Sequence, residues 1–169
     1  SYAAAKHKND LAFIKGKDIK ATEKYIYPNQ IEDAAQIVHE FDTRNRRVVS
    51  ITKKTKVGAD GLMIELAKQM TTHPDDDFVV DSSDVYILTA MSNVSWETDM
   101  KEKTPECFRK NIHHHGKLKH SDLTNLKNSL IIIDEVDTGD KDGQVMHRKL
   151  QEAGILNVAN LETNNIRIV

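Results

Sequence analysis

An apolar run, Leu130-Ile131-Ile132-Ile133, delivers three carboxylates within four positions: Asp134, Glu135 and Asp137. Carboxylates at the end of a buried strand are costly unless they meet a cation or a proton in transit. Mg²⁺ takes such oxygen ligands and completes its shell with waters and phosphates. In a nucleotide-hydrolysing site the first acid organises the metal, and a second group positions or deprotonates the attacking water. That chemistry gives Asp134 the metal role and Glu135 the catalytic one. A strand that simply ends in an acidic turn would carry the same residues, so the reading needs a second feature.

That feature lies upstream. A β-branched stretch, Arg47 to Thr52, leads into Lys53-Lys54-Thr55-Lys56-Val57-Gly58-Ala59-Asp60-Gly61 and then a helical pattern. Strand, glycine-bearing loop and helix form the layout of a phosphate-binding loop, because a helix N-terminus offers free amides and a positive dipole end to an anion. The pattern that binds nucleoside triphosphates is Gly-x-x-x-x-Gly-Lys-[Ser/Thr]. Aligned on Gly58, this chain has Lys53 at the first glycine, Ala59 at the lysine and Asp60 at the hydroxyl residue. The β- and γ-phosphates lose their lysine and the metal loses a hydroxyl ligand. A carboxylate at Asp60 also repels phosphate. A third feature is Gln30, in Tyr25-Ile26-Tyr27-Pro28-Asn29-Gln30. Its amide donates and accepts at once, so it could pair with an adenine edge; the plainer reading is an exposed Gln beside an Asn29 helix cap.

The elements that must hold these residues follow from periodicity. Ile31, Ala34, Ala35, Ile37, Val38 and Phe41 predict a helix over 29–42. Leu62, Met63, Leu66, Ala67 and Met70 predict a second, and Val94 to Lys103 a third, stopped before Pro105. Strands are expected over 47–52, 85–89, 129–133 and 166–169. A further helix over 143–152 should stop at Gly154. The 129–133 strand is apolar on both faces, as a central parallel strand is. Strands alternating with helices imply an α/β fold with a mostly parallel sheet and helices on both faces.

Length and composition allow this. One domain fits 169 residues, with 30% charged and 5% aromatic side chains. Net charge is 24 − 26 = −2, neutral as to a polyanion partner. No apolar run approaches the roughly 20 residues of a membrane helix, so no membrane partner and an intracellular location are expected. The lone Cys107 fits a reducing compartment.

From about Tyr25 to Val169 the chain resembles the first, RecA-like lobe of superfamily-2 helicases and translocases. The nearest resemblance is to the helicase-like proteins of large DNA viruses and to related restriction-type translocases. That resemblance implies a P-loop-type fold after an irregular segment over 1–24. It also implies ATP and Mg as cofactors and nucleic acid, DNA in the first instance, as partner. It makes Gln30 the adenine reader, with Thr55, Gly58, Ala59 and Asp60 in the phosphate loop. Leu88-Thr89-Ala90-Met91-Ser92-Asn93 falls where the family touches the nucleic-acid backbone, through Thr89, Ser92 and Asn93. Asp134, Glu135 and Asp137 match the family's acidic motif. The family completes its site with a second RecA-like lobe or partner subunit, so this lobe is expected to be catalytically incompetent alone. The place of the viral relatives is cytoplasmic or nuclear, a viral factory or the virion.

Other readings compete. An ATP-independent module could bind nucleic acid, or a protein, through the basic run Arg44, Arg46, Arg47, Lys53, Lys54 and Lys56. His113-His114-His115, near Cys107 and His120, fits no closed zinc pattern and is expected to be a solvated loop or one packed His. Trp96 is expected to pack rather than to stack a base. Asp81, Asp99 and Lys101 form only a loose nuclease-like set.

Overall fold

Alternation decides the architecture of the computed structural model, which describes residues 28–50, 59–89, 94–114, 123–134 and 141–169. Among them, four strands form one parallel sheet: β1 (Val85–Thr89), β2 (Ile112–His114), β3 (Ser129–Asp134) and β4 (Ile166–Ile168). Their order is β2-β1-β3-β4. A single parallel bridge, Val48 to Ile168, adds the 47–49 segment outside β4. Val49 donates its N–H to Ile168 and Ile168 donates to Arg47. The strand expected over 47–52 is thus present as this bridge, and 51–58 lie outside the described residues.

The central strands are buried on both faces, as the apolar run over 129–133 predicts. On β1, Val85 and Ile87 point to one face and Tyr86 and Leu88 to the other; on β3, Leu130 and Ile132 oppose Ile131 and Ile133. The first face is covered by α1 (Pro28–Asp42), α2 (Ala59–Thr71) and α3 (Val94–Lys103), through Phe41, Leu66, Met70 and Met100 among others. The second is covered by Leu123 and Leu126, by α4 (Lys141–Glu152) and by α5 (Val158–Thr163), through Met146, Leu150 and Leu161. Connections running from the 47–49 segment to β1 and on to β2 use the first face. Those returning to β3 and then β4 use the second. One crossover hand requires this switch of faces when the direction across the sheet reverses.

Local chemistry sets the boundaries. α1 starts at Pro28 rather than at Asn29, because a proline in the first turn has no N–H to leave unpaired. α4 ends in a paired cap. Gly154, at φ +77°, donates to Gln151, and Ile155 donates back to Leu150. Ile155 and Leu150 are both buried, which is the apolar contact that accompanies this cap. At the starts of β3 and β4, Asn128 and Asn165 both adopt left-handed backbones, at φ 51° and 52°. Asn tolerates that conformation where most residues do not. Asn165 Nδ2 donates to Asn128 Oδ1 at 3.1 Å, tying the two strand starts together.

Two elements escape the periodicity argument. α5 is six residues long, too short for its spacing to register. β2 falls on His113 and His114, where a solvated loop or one packed His was the expectation. The correction has a plain cause. Buried Ile112 anchors the strand, and parallel pairing with β1 supplies hydrogen bonds that a histidine pair does not advertise. No helix among the described residues is long and apolar enough to cross a membrane.

Candidate functional site

Register places three polar residues in one row at the C-terminal edge of the sheet. His114 pairs with Thr89, and Thr89 with Asp134, across β2, β1 and β3. One position earlier the row is His113, Leu88, Ile133, and before that Ile112, Ile87, Ile132. On the central pair β1 and β3 the rows Ile87–Ile132 and Leu88–Ile133 are thus apolar and the last, Thr89–Asp134, is polar. β1 feeds α3 on the first face, whereas β3 feeds α4 on the second. Their ends therefore diverge, which is where open parallel sheets form a ligand crevice.

Alternation points Asp134 to the first face, and α3 meets it there. Trp96 Nε1 donates to Asp134 Oδ2 at 3.2 Å. Trp96 is half-buried and its ring packs on the apolar core, so the packing expectation holds, with an added polar contact to the acid. The next residue, Glu97, is 97% buried. Its Oε1 accepts from Lys101 Nζ at 3.2 Å and lies 3.7 Å from His113 Nδ1, while Oε2 lies 3.9 Å from His114 Nε2. A carboxylate this deep needs such company, because an isolated buried charge is strongly disfavoured. Neither Glu97 nor its link to the histidines was expected. The only hint in the sequence is an acid and a lysine four apart on a helix, a spacing common on solvated faces.

The start of α2 is arranged differently. Asp60 is half-buried, and its Oδ2 accepts from Lys103 Nζ at 3.0 Å. The repulsion that Asp60 would exert on a phosphate is therefore offset by an ammonium from the last turn of α3. One helix ties both features, since Trp96 reaches Asp134 and Lys103 reaches Asp60. The two anchoring residues are seven apart, or about 10 Å along the axis.

Gln30 is 1% exposed. The plain expectation of an exposed Gln30 is thus overturned: the residue sits in the first turn of α1 and is buried. Thr89 is fully buried at the end of β1. Thr55, Gly58, Ser92, Asn93, Glu135 and Asp137 lie outside the described residues, as does the irregular segment over 1–24. Ala59 opens α2. The loose nuclease set comes apart. Asp81 caps the turn before β1, accepting from the N–H and hydroxyl of Ser83, whereas Asp99 is exposed on α3 and Lys101 belongs to Glu97. In the basic run, Arg44 and Arg46 both reach Glu40, at 3.5 and 2.9 Å.

For a divalent cation the described residues fit in part. Asp134 supplies one carboxylate at the right edge, and Asp60 stands where the phosphate-loop pattern has a hydroxyl. Among the described residues no three His, Cys, Asp or Glu side chains converge as a ligand set. No family model, curated protein or solved structure matches the chain.

Proposed function

We propose that this chain is a RecA-like nucleotide-binding lobe of a nucleic-acid-dependent ATPase, of the superfamily-2 helicase and translocase type, with a phosphate loop unable to sustain hydrolysis alone. The observation that carries this reading is the position of Asp134. It ends the central parallel strand, in register with Thr89, at the edge where β1 and β3 diverge to opposite faces. The helix that follows the glycine-bearing loop, α2, packs on the same face toward which Asp134 points.

Each residue has a stated task. Trp96 fixes the Asp134 carboxylate through its indole N–H. Asp134 is the group that would hold magnesium, with Glu135 next to it in sequence as the base toward water. Magnesium, when bound, supplies neutralisation of phosphate charge. Lys103 neutralises Asp60 and lies at the start of α2, where an anion would sit. Ser92 and Asn93 belong to the segment that would meet the nucleic-acid backbone, while Thr89, fully buried at the end of β1, would anchor that segment rather than touch the backbone.

The test is calorimetric titration with ATP and magnesium of the natural chain and of the double variant Ala59→Lys, Asp60→Thr. The variant restores the lysine and the hydroxyl, and it frees Lys103. Micromolar binding in the variant, at least tenfold tighter than in the natural chain, is expected. Absence of binding in both forms rejects the assignment.

A further inference from the structure

Two arginines lie side by side at the opposite edge of the sheet. The Val48 to Ile168 bridge is parallel, so Arg47 and Arg167 occupy the preceding matched positions on neighbouring strands. Neighbouring strands are roughly 4.8 Å apart, and like charges directly opposite one another destabilise a sheet. Arg167 points to the first face, since Ile166 and Ile168 on either side of it pack on the second. Its guanidinium lies 4.4 Å above the Phe78 ring, which His73 also contacts at 4.5 Å.

Arg167 is 94% buried, yet its Nε has no hydrogen-bond partner, and neither has the buried Nε of Arg47. The described ion pairs include neither arginine. Asp42 attracts Arg167 from a distance without an ion-pair contact to it, and its Oδ2 lies 3.5 Å from His73 Nε2. Asn165 takes one N–H of Arg47 at 2.8 Å and leaves the other donors. Burial first, and then Arg47, hold the Arg167 guanidinium below the usual arginine range, at about 10. Two adjacent cations with unused donors, one in the interior, are costly unless an anion lies between them. A guanidinium offers parallel N–H groups that match an oxyanion in a bidentate fork.

We propose that Arg47 and Arg167 form a binding site for a phosphate-class oxyanion, either the free ion or a phosphoryl group of a larger ligand. The site lies at the N-terminal edge of the sheet, away from Asp134, and is independent of the ATPase assignment. Phe78 supports the Arg167 guanidinium from beneath, and Asn165 orients Arg47.

The probe is inorganic phosphate, added to the ¹⁵N-labelled full chain at constant ionic strength against chloride. The readout is the arginine Nε–Hε resonances, assigned with Arg47→Gln and Arg167→Met. We expect the two resonances to shift along one saturable curve. At ten times the dissociation constant the melting temperature should rise by about 4 °C. Arg47→Gln, a half-buried position whose replacement leaves the core intact, should weaken the phosphate response at least tenfold. Arg167→Met should abolish it. A second arm uses a 5′-phosphorylated single-stranded oligonucleotide. Competition with phosphate assigns a phosphoryl group of a larger ligand, and silence with phosphate still active assigns the free ion. No saturable shift with either probe, or an unchanged phosphate midpoint in Arg47→Gln, overturns the proposal.

Discussion

Replacing Asp134 separates two contributions of its carboxylate, the charge and the hydrogen bond to Trp96. The bond is 3.2 Å long and half-buried, at the long end of the N–H···O range. A well-formed bond to a charged acceptor is worth about 1.5–3 kcal/mol, so about 1 kcal/mol is expected at this length and exposure. Asp134→Asn keeps an oxygen in place for the indole and should cost roughly 0.5 kcal/mol or less. Asp134→Ala leaves the indole N–H without its acceptor and should cost about 1–2 kcal/mol. Trp96 is the chain's single tryptophan, so its fluorescence reads this contact without labelling. Urea unfolding followed by Trp96 emission and by circular dichroism should give the stability order wild type, Asn, Ala, with both probes coincident. If the two variants lose equal stability, or if Asp134→Ala is as stable as wild type, the indole does not hold the carboxylate and the positioning role of Trp96 is refuted.

Two further outcomes follow from backbone chemistry. Gly154→Ala should lower stability by about 1–2 kcal/mol, because a Cβ at φ +77° is strained and would sit 2.9 Å from Asn160 Nδ2; thermal melting reads it. Asn165→Ala should lose a similar amount, about 1–2 kcal/mol, since it removes the left-handed preference and the bonds to Asn128 and Arg47, while Asn165→Gly should lose less because glycine keeps the backbone; denaturant midpoints separate the two.

The sequence alone determined the parallel α/β class and the run of its main elements. Those depend on local rules: a residue's period decides which face it shows, and Gly154 stops a helix wherever it falls. The acidic end of β3 was legible for the same reason, as an apolar strand followed by Asp134. Tertiary structure decided what surrounds that acid. Glu97 and Lys101, four apart on α3, carry no sign in the sequence of the His113 and His114 that β2 sets against them. Trp96 became a hydrogen-bond donor only once α3 crossed the end of β3. Lys103 and Asp60 are 43 residues apart and meet through helix packing. The Arg47 and Arg167 juxtaposition exists only because a parallel bridge aligns chain segments that lie far apart in sequence. Periodicity carries information across one or two turns of chain. Which distant side chains become neighbours is settled by strand order and register, and these are properties of the whole sheet.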